Sequence, residues 1–162
     1  MNFESLFKTQ KDLDNKIIKK HSLQKRSLKS NKLLALEVEI SELANETRCF
    51  KYWSSKLPSS KEIILEEYAD CLHFILSIGI EYGFQDTEEL NLQKPDTTAT
   101  DQFLNLYVDV TDFIVCSSKD HYLTLFEDFL NLGLYLDFSD DDIEDAYYKK
   151  NAKNLVRQNS GY

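Results

Sequence analysis

LLALEVEISELANET, Leu33–Thr47, and KEIILEEYADCLHFILSIGIEY, Lys61–Tyr82, carry the pattern from which the fold follows. Each holds a pair of carboxylates three residues apart, Glu39 with Glu42 and Glu67 with Asp70. Residues at that spacing lie about one turn apart on the same side of an α-helix, so each pair aims two carboxylates at one place. If the two helices pack side by side, four carboxylates converge. Like charges so close repel and raise one another's pKa unless cations sit between them. Hard oxygen ligands suit Mg²⁺, the usual companion of a polyphosphate.

A wheel at about 100° per residue separates a solvated acid from a liganding one. In the later segment Ile64, Tyr68, Cys71, Ile75, Ile78 and Tyr82 form one stripe, with Glu67 inside it and Asp70 at its edge, while Glu62 and Glu66 fall on the far, solvent side. In the earlier segment Leu36, Ile40, Leu43, Ala44 and Thr47 form the stripe, and Glu39 and Glu42 run along its border. A carboxylate on an inward face costs several kcal/mol unless it is paired or binds a metal. Glu67 is therefore the acid least compatible with simple solvation.

Outside this stretch long helical patterns predominate and alternating ones are few. A chain of 162 residues with 42% hydrophobic side chains has enough to bury one core, so a single domain spanning 1–162 is expected. Only four Gly and two Pro interrupt long 3.6-residue patterns, which predicts an all-α bundle of about six helices. The net charge of -9 argues against gripping a nucleic-acid duplex by its phosphates. A small anionic substrate stays compatible if metal supplies the positive charge. Cys49, Cys71 and Cys116 are odd in number and lack metal-site spacing, so free thiols in a reducing cytoplasm are expected. The apolar run Phe74–Ile80 is too short to span a bilayer and the amino terminus lacks a secretory pattern, so no membrane association is expected.

The amino-terminal helix, Asn2 to about His21, has a stripe of Phe3, Leu6, Phe7, Leu13 and Ile17 that also carries Gln10 and Asp14. An inward amide and carboxylate one turn apart suit a flat polar group such as a nucleobase, and equally suit an internal hydrogen bond. Residues 22–31 read as a connection, with Ser30 or Asn31 as a helix cap. Past Glu46 an aromatic and basic cluster, Phe50, Lys51, Tyr52 and Trp53, precedes a turn at Pro58. Trp53 can wall a base and Lys51 meet a phosphate, although core packing and plain solvation are the commoner fates of such residues. Gly83 stops the second acidic helix, residues 84–100 form a long loop, and apolar helices follow at about Asp101–Ser117 and Asp120–Leu136. Asp109 and Asp112 make another acidic pair, away from the stripe. Ser139 opens the last helix, where Asp140, Asp141 and Asp142 suit the positive end of the helix dipole. Further along it Lys150, Asn154 and Arg157 share one face, a set suited to a triphosphate opposite metal-bearing carboxylates.

Glu39-x-x-Glu42, twenty-four intervening residues and Glu67-x-x-Asp70 resemble the metal motif of the dimeric, all-α dUTPases, relatives of the MazG-like nucleotide pyrophosphohydrolases. The stretches EISELANE from Glu39, FKYWS from Phe50 and LEEYADCLHF from Leu65 share the resemblance, as do Gln10, Asp14 and the Lys150, Asn154, Arg157 set. It implies an all-α pyrophosphohydrolase bundle that hydrolyses dUTP, and dUDP, to dUMP, releasing pyrophosphate from dUTP. By the same resemblance Glu39, Glu42, Glu67 and Asp70 hold two or three Mg²⁺, with Glu39 or Glu42 as general base. Gln10 and Asp14 correspond to the base-recognition positions and Lys150, Asn154 and Arg157 to the phosphate-binding positions, and Lys51, Trp53 and Phe74 are counted as further substrate-binding candidates. A homodimer is implied, and phage-encoded relatives bind repressor proteins, which makes a regulatory protein a further partner to test. One departure stands out: the family often has Asn where this chain has Asp14, and a carboxylate accepts hydrogen bonds but cannot donate them. The competing readings are a related enzyme for another nucleotide such as dCTP, and a non-catalytic helical interaction protein.

Overall fold

The computed structural model describes residues 1–87 and 90–160, and among them the chain forms six helices and no strand. They are α1 Phe3–Lys20, α2 Lys29–Thr47, α3 Lys61–Tyr82, α4 Ala99–Val115, α5 Lys119–Tyr135 and α6 Asp140–Asn159. The all-α expectation is borne out.

Helix α3 is the axis of the bundle. Eleven of its 22 residues are buried, among them Ala69, Leu72, His73 and Leu76, which lie outside the single stripe read from the sequence. A helix apolar on most sides must be surrounded, and α1, α2, α5 and α6 all pack on it. Tyr68 shows how tightly: it is fully buried, stacks on Phe129 with ring centroids 4.2 Å apart, and donates from its hydroxyl to the Phe129 carbonyl at 3.1 Å. Helices α2 and α3 run antiparallel, because Lys32 near the start of α2 reaches Ser77 and Glu81 near the end of α3. That pairing puts the middle of α2 beside the first half of α3, where the four acids lie.

The helix ends follow local chemistry with two departures. Ser139 and Asp142 form a reciprocal capping box on α6, and Gly83 closes α3 in the left-handed conformation at φ 77°. Helix α2 starts at Lys29, ahead of the Ser30 or Asn31 cap predicted, and its N-cap Leu28 makes no side-chain bond. Within its first turn Lys32 points inward, against Asp14 and Glu81, and anchors this end of α2 to α1 and α3. The same helix ends at Thr47, with Arg48 left-handed at φ 58°, well before Pro58. Helix α4 begins at Ala99 because the Thr98 hydroxyl caps the Asp101 amide. Ahead of it the 90–98 segment is tied down on α5, with the Gln93 amide donating to Asn131 at 2.8 Å.

Candidate metal centre and nucleotide groove

Helices α2 and α3 bring Glu39, Glu67 and Asp70 together, each offering an oxygen within 4.8 Å of the others. All three are only partly exposed. Burial, reinforced by the charges of Asp70, Glu42 and Glu67, pushes the Glu39 carboxyl up to about 7. Burial likewise raises Glu67, with Asp70 adding repulsion, and raises Asp70 although Lys150 pulls the other way. Glu42 stands apart from the expected foursome: it is exposed and lies outside the trio. It lines a groove of about 500 Å³ with Val38, Ser41, Asn45, Glu46 and Glu67. The reason is its place on the helix, one turn past Glu39 on the side that turns from α3 toward solvent. Behind the trio Cys71 is fully buried, and its thiol is pushed up by burial and by Glu39, so it is no competitor for a metal.

Helix α6 closes the other side. Lys150 pairs through Nζ with Asp70 and, at 3.3 Å, with Glu66, and Lys153 pairs with Glu66 at 2.8 Å. Glu66 thus stays 43% exposed, in keeping with its place on the solvent side of the wheel, but it also pairs with α6, which the wheel of a single helix does not see. Burial works against the Lys150 ammonium, but Asp70 and Glu66 outweigh it and raise its pKa. Asn154, partly exposed, follows one turn later, and the charge of Arg157 is felt at Asp70.

On the amino-terminal side Gln10 is 3% exposed and internally committed. Its Nε2 donates to Asp14 at 2.8 Å, and its Oε1 accepts from the Tyr147 hydroxyl at 3.0 Å and from His73 Nδ1 at 2.7 Å. This fixes the His73 tautomer with the proton on Nδ1, in keeping with an imidazole that burial pushes down to about 4. Asp14 also accepts from Ser77 at 2.5 Å and from Lys32 at 3.4 Å. Asp14, Ile17, Lys32, Phe74 and Ser77 line a mostly apolar cavity of about 300 Å³. Phe74 and Ser77 sit one and two turns past Asp70 on α3, so the cavity lies about 5–10 Å along the α2–α3 seam from the carboxylates.

A family model described as dUTPase matches residues 2–162. The chain belongs to the all-α dUTPases. No curated protein matches it at a significant level. It is thus an enzyme that hydrolyses dUTP, which sets aside the non-catalytic alternative.

Three converging carboxylates with raised pKa values form the hard-oxygen donor set of a divalent cation, and burial without one is unfavourable. The donor chemistry of this dUTPase therefore fits a divalent metal. Two residues from the sequence reading lie elsewhere. Trp53 is 64% exposed and stands edge-on to Phe50 and Tyr52, and Lys51 donates to Asn45 at the outer rim of the Glu42 groove. Three residues went unread. Lys32 directly follows the basic connection 22–31, Ser77 is one small polar residue in the run Phe74–Ile80, and His73 lies off the apolar stripe of its helix. The only sequence signal was their helical register, since Ser77 lies seven residues after Asp70 and Lys32 seven before Glu39. None of the described helices is long and apolar enough to cross a membrane.

Proposed function

We propose that this dUTPase, as one domain over residues 1–162, cleaves dUTP to dUMP and pyrophosphate, and dUDP to dUMP, with Mg²⁺ as the metal. The observation that carries the reading is the convergence of Glu39, Glu67 and Asp70 opposite the cationic face of α6. Mg²⁺ held by those three, with Glu42 reaching in from the rim, would neutralise phosphate charge and acidify a water. Glu42 is the better candidate for taking the proton of the attacking water, because it stands outside the trio and faces the open groove. Lys150, Asn154 and Arg157 bind the phosphates, Arg157 by a planar fork matched to two oxygens. The base lies in the cavity walled by Phe74, with Asp14 at its edge and Gln10 acting through Asp14, since its own polar groups are spent on Asp14, His73 and Tyr147. The span between carboxylates and cavity suits a deoxyribose between α-phosphate and base.

A homodimer is the assembly this reading favours. Leu34 and Val38 on α2 and Leu104, Val108 and Val115 on α4 are large apolar side chains left exposed, and α2 packs against α4, so they form a face that a second copy would cover. A repressor-type partner is a separate proposal, tested by co-purification. The central test is pyrophosphate release from dUTP, dCTP and dTTP, and phosphate release from dUDP, each with Mg²⁺ and with EDTA. Turnover of dUTP that depends on Mg²⁺ and exceeds that of dCTP is expected. Equal or faster dCTP turnover overturns the base assignment, and full activity in EDTA overturns the metal.

A further inference from the structure

We propose that Lys150 is a built-in competitor of the metal ion, holding the carboxylate cluster until a nucleotide polyphosphate draws its ammonium away, so that metal loading and nucleotide binding are coupled through this side chain. The inference rests on the metal-dependent reading above and adds a control to it.

Lys150 is 8% exposed, and its Nζ pairs directly with Asp70, one of the three converging acids. Its charge also reaches Glu39 and Glu67, where it works against the rise that burial and the neighbouring acids cause. A cation therefore already sits on one of the three acids that would hold a divalent ion. It arrives from α6, whereas the acids belong to α2 and α3. A four-carbon stem lets Nζ move several ångströms without moving the backbone.

An ammonium and a divalent ion cannot both sit on Asp70. Even with the screening of bulk water, a single and a double positive charge about 5 Å apart repel by more than about tenfold in a binding constant. The lysine must leave Asp70 when an ion arrives, and a buried ammonium needs another anion. Glu66 is its other partner, at 3.3 Å, but Lys153 already holds Glu66 at 2.8 Å. A polyphosphate bound beside the cluster would supply the negative charge that Glu66, shared with Lys153, only partly provides, and Asn154 lies one turn further along the same helix. Linkage makes the effect reciprocal: nucleotide that takes up Lys150 tightens metal binding, and metal that expels Lys150 from Asp70 tightens nucleotide binding.

The test is Mn²⁺ binding, by electron paramagnetic resonance or calorimetry, to the full chain with and without α,β-imido-dUTP. Wild type is compared with Lys150→Met, Lys150→Arg and, as a charge control on the exposed face of α6, Lys149→Met. Lys150→Met is expected to bind Mn²⁺ alone about tenfold more tightly than wild type, and the tightening produced by the analogue should shrink by a similar factor. Lys150→Arg, which keeps the charge, should stay near wild type, and Lys149→Met should change affinity by less than about twofold. If thermal melting shows that Lys150→Met does not fold, Lys150→Gln serves in its place. Equal Mn²⁺ affinity in wild type and the neutral variant, with undiminished coupling, overturns the inference and leaves the metal reading intact. A wild-type chain that takes up no Mn²⁺ even with the analogue overturns both.

Discussion

Replacing Glu39 by Gln should stabilise the metal-free protein, and the size of the effect follows from the site. Burial and three neighbouring acids move the Glu39 carboxyl from 4.5 to about 7. At about 1.36 kcal/mol per pH unit, that is ~3 kcal/mol against the charged form above pH 7. The side chain is only half-buried, and solvent screening halves the figure to ~1.5 kcal/mol. The sign is that of a folded pKa raised above the unfolded one: the wild type is unaffected below the usual carboxylate range and loses stability as pH climbs toward about 7. Glu39→Gln removes the titrating charge. In EDTA at pH 8 it should melt ~3–6 °C above wild type for a chain of this size, and at pH 4 the two should coincide. With millimolar Mg²⁺ the order reverses, because the ion stabilises only the chain that binds it. Differential scanning calorimetry at the two pH values, with EDTA and with Mg²⁺, reads all four conditions. A Glu39→Gln protein that melts below wild type in EDTA at pH 8 would show that the trio is held by something other than an awaited cation.

Asp109 offers the same physics away from the nucleotide groove: burial and Asp128 push it up to about 7, so Asp109→Asn should raise the melting temperature at pH 8 and leave it unchanged at pH 4. Lys32→Met strands Asp14 and Glu81, whose side chains are 12% and 24% exposed. A cost of ~2 kcal/mol in urea unfolding is expected, below the value for fully buried pairs, and no loss would mean the pair is solvated. A Cβ on Gly133 would lie 2.5 Å from the Tyr68 hydroxyl oxygen, so Gly133→Ala should cost ~1–3 kcal/mol in the same assay. Asp70→Asn should lower metal affinity and dUTP turnover by at least ~10²-fold with the fold retained, measured by Mn²⁺ titration beside circular dichroism.

The helical class is legible in the residues alone, because scarce Gly and Pro and a 3.6-residue apolar period leave few other ways to bury this chain. Periodicity also marked Glu67 as an acid needing a partner, because it fell inside an apolar stripe and an inward carboxylate demands one. Local signals placed the caps at Ser139 and Gly83, since capping depends on a few adjacent residues. Relations between helices, by contrast, emerge only once the bundle packs. Glu42 stays at the rim while Glu39 enters, Glu66 finds Lys153 and Lys150 on α6, and Gln10 is spent on Asp14, His73 and Tyr147. Lys32 inside the bundle and Lys150 on Asp70 belong to the same class. Periodicity assigns each residue to a side of its own helix, but the neighbour on that side is set by how α1, α2 and α6 pack around α3, through contacts between residues as far apart as Gln10 and Tyr147.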